Sequence, residues 1–186
     1  MFELNAFQAL QQYILSLGAY RVGVVAVEDI SFEPEFRQLC ESNACGMYGR
    51  SWMCPPLIGS VDELIAQAKT YRTAIVYQTV DALEDSYDFE GMMAAGEKIN
   101  RLSQTLRHHM RKMGEDTSLF LGSGGCRICA RCAKLDNKPC RFPGEAMSSL
   151  EAYGINVSEL ARTAGMKYIN GVDTVTYFGA VFLKGA

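Results

Sequence analysis

The run GCRICARCAKLDNKPCRFPG, from Gly125 to Gly144, places Cys126, Cys129, Cys132 and Cys140 within fifteen residues, the first three at a strict interval of three. One curled loop with that spacing can present three thiolates to three corners of a cubane. A structural zinc ion instead draws two close cysteines from one knuckle and two from another segment, so a third at the same short period is surplus to it. The run therefore points to a [4Fe–4S] cluster, with zinc as the alternative.

The fourth ligand is less fixed. Cys140 follows Cys132 by eight positions, with Pro143 shortly after, which approximates the ferredoxin run C-x2-C-x2-C-x3-C-P with a longer last interval. Upstream, CESNACGMYGRSWMCPP supplies Cys40, Cys45 and Cys54, and here Cys54 stands directly before Pro55. In two-cluster ferredoxins the local Cys-Pro cysteine serves the other cluster. Cys54 then completes the Cys126 set while Cys140 joins Cys40 and Cys45, or Cys140 stays local and the upstream three form their own group. Either division of the seven cysteines gives four and three, and so one or two metal centres.

A chain of 186 residues, 48% apolar and 21% charged, can bury a full core without disulfide staples. The net charge of −3 gives no electrostatic case for nucleic acid or an anionic membrane as partner. Glu3 and the lack of a basic residue before Arg21 are unlike a signal peptide, and no apolar run approaches a membrane span. A cytoplasmic protein is expected, in which seven reduced thiols serve metal rather than a disulfide framework.

The pattern along the chain predicts alternating helices and strands. Phe7, Leu10, Ile14 and Leu17 predict a helix over 5–17, followed by a β-branched strand over 20–27. Ser60 and Glu63 have capping-box spacing and open a helix to about Lys69; TAIVYQTV at 73–80 is the next strand. A long helix over 89–113 turns Met92, Ile99, Leu102, Leu106 and Met110 inward and ends at Gly114. Strands are expected at 118–122 and 174–183, with short helices capped by Ser148 (with Glu151) and Asn156 (with Glu159). The fold class is α/β or α+β, a single domain over 1–186 with a four- to five-stranded sheet covered by helices. Both cysteine groups, at 40–54 and 123–144, fall in connections that need a reason for their length, and metal supplies one.

The surroundings suit thiolates. Gly122, Ser123, Gly124 and Gly125 let backbone N–H groups turn toward sulfur. Arg127, Arg131, Lys134, Lys138 and Arg141 offset a negative cluster, greet an acidic partner, or form a solvated loop face. Tyr48, Arg50 and Trp52 offer an aromatic cover or ordinary packing. His108 and His109, in RHHMRK, read as surface residues that complement a helix dipole. LGSGG lacks the spacing of a dinucleotide or Walker loop, and no Ser-His-Asp arrangement stands out.

CGMYGRSWMCPP, GCRICARC and CRFPGEAMSSLEAYGINV together resemble an uncharacterised prokaryotic family of cysteine-rich, predicted metal-binding proteins, classed as a domain of unknown function. The resemblance spans nearly the whole chain. It rests on Trp52 to Pro56, Cys126 to Cys132, Cys140 to Pro143, and Ser149, Glu151 and Gly154. It implies metal binding with [4Fe–4S] as the centre and an anaerobe-type metabolism, and no substrate.

Three functions follow as expectations. The first is a small iron–sulfur protein that passes single electrons to or from a partner enzyme, with Cys126, Cys129, Cys132 and Cys140 as ligands. The second is an enzyme whose cluster, held by only Cys40, Cys45 and Cys54, keeps one iron open for substrate. The third is a structural zinc or iron module that shapes a docking surface.

Overall fold

A computed structural model describes residues 2–115 and 117–184. The chain folds as α+β, a five-stranded mixed sheet in the order β1-β2-β5-β3-β4 with helices on both faces. Helix α1 (Phe2–Ser16) leads into β1 (Arg21–Ala26), which lies on the sheet edge and pairs antiparallel with β2 (Thr73–Ala82). β2 pairs along its whole length with β5 (Thr174–Leu183), from Thr73↔Leu183 to Ala82↔Thr174. β3 (Leu119–Gly122) continues the sheet antiparallel to β5. A two-residue β4 (Ser148–Ser149) closes it, parallel to β3.

β2 is buried from Ala74 to Thr79 because both of its faces are covered, which explains why it reads as an apolar run rather than an alternation. Ile75 and Tyr77 face α1 and the long helix α4 (Phe89–Lys112), where Ile14, Ile99, Leu102, Leu106 and Met110 meet them. Ala74 and Val76 face the other layer, packed with Leu64 and Ala68 of α3 (Val61–Ala68) and Leu160 and Ala161 of α5 (Val157–Thr163). Full burial of a side chain such as Leu106 stabilises the fold by about 1.5–3 kcal/mol. Tyr77 lies opposite Gly179, where a Cβ would come within 2.5 Å of its ring; the missing side chain gives the ring its place and lets its hydroxyl meet Ser103 Oγ at 2.7 Å.

Local signals define most element ends. Ser60 and Glu63 form the reciprocal capping box of α3. Asp88 accepts from Gly91 N–H at the start of α4, and α4 runs out at Gly114, which adopts φ +87°. Asn156 caps α5 through Glu159 N–H.

Two assignments are corrected. Cys40 is helical rather than in a loop, since a short α2 (Phe36–Glu41) forms within the connection after β1. Ser148 does not cap a helix: its backbone pairs with Leu121 and its hydroxyl donates to Met53 O at 2.9 Å. Ser149 takes the capping role, accepting from Ala152 N–H at 3.1 Å over a 3-10 turn at Glu151–Tyr153. Strand pairing claimed Ser148 first, so the capping bond moved one residue on. No helix among the described residues is long and apolar enough to cross a membrane.

Candidate metal centre

The downstream cysteine loop starts where β3 ends. Ser123 prolongs the ladder through its side chain, donating to Phe178 O at 2.7 Å and accepting from Phe178 N–H at 3.1 Å. From that anchor the chain turns through Gly124, at φ +68°, where an L side chain would be strained. Farther on, Asn137 takes a left-handed turn that lets Lys138 N–H return to Ala133 O at 3.0 Å, and Arg141 Nη1 donates to Arg131 O at 2.9 Å. These bonds curl the loop. Cys126, Cys129, Cys132 and Cys140 consequently line one small cavity, with Ser51, Trp52 and Met53 on its other wall.

The upstream segment folds down on that loop. Turns at Asn43, Gly46 and Gly49 with positive φ, and a Gly49 N–H bond to Pro55 O at 2.8 Å, bring the chain at Cys54 and Pro55 back to Gly49. Met47 occupies the space a side chain at Gly125 would need, its Cγ 2.9 Å from that position. Trp52 Nε1–H donates to Lys138 O at 2.8 Å, and Lys134 Nζ lies 5.0 Å from the centre of the Trp52 ring. Trp52, Lys134 and Lys138 thus tie the two loops together.

Sulfur itself is part of the joint. Cys126 N–H donates to the sulfur of Cys54, and the N–H groups of Lys134 and Trp52 donate to the sulfur of Cys132. Burial works against ionising Cys132. Those two donors, the Ser51 hydroxyl and the Arg141 charge outweigh it and hold the thiol below its ordinary range. Burial dominates at Cys54, whose thiol is pushed up despite its bond from Ser51. Cys40 is pushed up to about 11 by burial, and the neighbouring Glu151, Cys45 and Cys54 add to the effect against the opposing Arg37.

All seven thiols are free, and the structure brings them into two adjoining sets. Four share the cavity under Trp52; Cys45 and Cys54 sit close enough to Cys40 to help raise its pKa, and Cys126 meets Cys54. Among the described residues no three His, Cys, Asp or Glu side chains converge closely enough to hold a single metal ion. His108 and His109 line none of these cavities; His109 stacks on Tyr13 with ring centres 3.9 Å apart, and His108 is exposed near Glu145.

Several contributors carry no signal in the sequence. Ser51 is 1% exposed and bonds to sulfur of both Cys54 and Cys132, yet a lone serine before a tryptophan is unremarkable. Arg37, also buried, reaches Gly59 O at 2.6 Å beside Cys40, and its role depends on a helix that periodicity did not reveal. Glu151 reads as a helix cap, whereas it stands half-buried against Cys40, its carboxyl pushed up by burial.

The model of a family described as predicted metal-binding protein (DUF2284) matches residues 23–183 of this chain. No curated protein and no solved structure matches it.

Proposed function

Since the chain belongs to that family of predicted metal-binding proteins, we propose that its metal is a [4Fe–4S] cluster held by Cys126, Cys129, Cys132 and Cys140. We infer that the protein passes single electrons to a partner protein. The observation that carries this reading is the one cavity those four thiols share. A cluster bound there supplies one-electron chemistry near the surface.

The donor set fits such a group. It is all thiol, the sulfur of Cys132 accepts backbone N–H bonds, and Arg141 adds positive charge. The C-x2-C-x2-C interval favours a cubane over the zinc alternative, for which a third cysteine at the same short period is surplus. Trp52, with Lys134 over its ring, walls the cavity, and Arg141 on the same wall offers charge to an acidic partner.

The open-site enzyme reading keeps one specific support. Cys45 is exposed and lies on the wall of a second, larger cavity shared with Cys126, Cys129 and Cys132. A centre held by Cys40, Cys45 and Cys54 would face it with one ligand position to spare.

Anoxic purification followed by metal and sulfide analysis tests the proposal. Iron with matching acid-labile sulfide, and a reversible one-electron reduction seen by electron paramagnetic resonance, is the expected result. Zinc without sulfide would overturn it.

A further inference from the structure

The larger cavity, about 820 Å³, opens between the N-terminal half of α4 and both cysteine loops. Its wall carries four arginines, Arg50, Arg101, Arg127 and Arg131, against a single acid, Glu97. In a chain of net charge −3 this is a strong local excess of positive charge. Arg101 is engaged by Glu97 at 3.4 Å and Arg131 by Asp136 at 2.9 Å. Among the described residues no carboxylate pairs with Arg50 or Arg127.

Arg127 is also held in place. Its guanidinium lies over Gly96 of α4, where a Cβ would stand 3.3 Å from Nη2, and Nη2 is 4.0 Å from Met93 Sδ. A bare glycine on a buried helix face lets the side chain lie flat on α4 without a carboxylate to hold it. Between the arginines the wall is apolar: Met47, Phe89, Met93 and Leu135. Phe89 is 70% exposed and gives its ring to this wall.

We propose that this cavity binds a small organic anion, with a carboxylate or phosphate head on Arg50 and Arg127 and an apolar body against Met47, Met93 and Phe89. Guanidinium forks match planar oxyanions in two parallel bonds, and the volume is that of an ordinary ligand pocket. Cys45, Cys126, Cys129 and Cys132 line the same cavity, so the bound anion lies beside the candidate metal centre. The site goes beyond metal binding, because the arginines and the apolar wall belong to the chain whatever its thiols hold.

Titration calorimetry of the anoxically purified protein tests it, with benzoate, phenyl phosphate and the neutral benzamide as probes and metal content measured on the same sample. Binding of benzoate, phenyl phosphate or both, with benzamide at least about tenfold weaker, is expected, as is a loss of about tenfold in Arg127→Gln and in Arg50→Gln. Which anion binds tells carboxylate from phosphate. Arg21→Gln, on the edge strand, should bind as the parent does. Equal binding of benzamide, or affinity unchanged in both cavity variants, overturns the site. A metal-loaded protein that binds neither anion rejects the anion site and leaves the metal reading standing, as when the arginines serve only to offset cluster charge. Anion binding by a chain that carries no metal keeps this site and rejects the cluster.

Discussion

The indole N–H of Trp52 donates to the carbonyl oxygen of Lys138 at 2.8 Å, joining residues 86 positions apart and closing the upstream cysteine segment over the downstream one. Trp52→Phe keeps most of the ring under Lys134 and removes only that donor, so it should cost about 1 kcal/mol of stability. Trp52→Ala should cost more and open the cavity to water. Thermal unfolding of the two variants orders them, and equal melting temperatures in parent and Trp52→Ala would show that the lid does not join the loops.

Cys126, Cys129 and Cys132 should act as one unit, because they line one cavity on one curled loop. Cys→Ser at any one of them is expected to leave most of the metal behind on purification and to lower the melting temperature, since metal affinity in such a loop is also folding free energy. Three variants with full metal content and parental stability would separate these thiols from the centre.

Cys54→Ser isolates ligation from hydrogen bonding. A serine oxygen can still accept from Cys126 N–H, so a fall in metal content would come from the lost thiolate rather than from a broken joint. Reduced metal is expected here and, to a lesser degree, in Cys45→Ser. Unchanged metal analysis with an unchanged melting temperature removes the upstream residue from the site.

Cysteine reactivity should follow the opposed pKa shifts. Cys132 is held below its ordinary range and Cys40 is raised to about 11, so in the metal-free chain Cys132 is thiolate at a pH where Cys40 is still protonated. Because thiolate is the nucleophile, iodoacetamide should modify Cys132 before Cys40 as the pH is raised, and Cys40 only as the pH climbs well into the alkaline range. Peptide mapping by mass spectrometry reads the order; reversal of the two contradicts the site's electrostatics.

Gly179→Ala should destabilise the sheet by about 1–3 kcal/mol, since its Cβ would fall 2.5 Å from the Tyr77 ring in a buried layer that cannot give. The size of the effect can be read by chemical denaturation. Tyr77→Phe at the same contact should cost less, because it forgoes only the bond to Ser103 and leaves the packing intact. A Gly179→Ala variant as stable as the parent would mean that Tyr77 has another place to lie.

What the amino-acid order determined by itself is what depends on neighbours a few residues apart. The capping box of Ser60 and Glu63, the apolar stripe of α4 and the apolar runs of β1, β2, β3 and β5 were all legible, because hydrogen-bonding reach and side-chain period are local properties. So was the C-x2-C-x2-C interval, which needs only one curl of backbone. The rest required distant chain to meet. Strand order, with β5 between β2 and β3, follows from how two apolar faces are covered and not from any single strand's composition. α2 is too short to show a period, and it carries Cys40 and Arg37 into the site only because it packs beside the 151–153 turn. Ser148 and Ser149 are interchangeable as local caps; pairing with β3 assigned one to Met53 and the other to the turn. The cavity of Arg50 and Arg127 belongs to the same class, since three segments widely separated in sequence have to pack before their charges face one space.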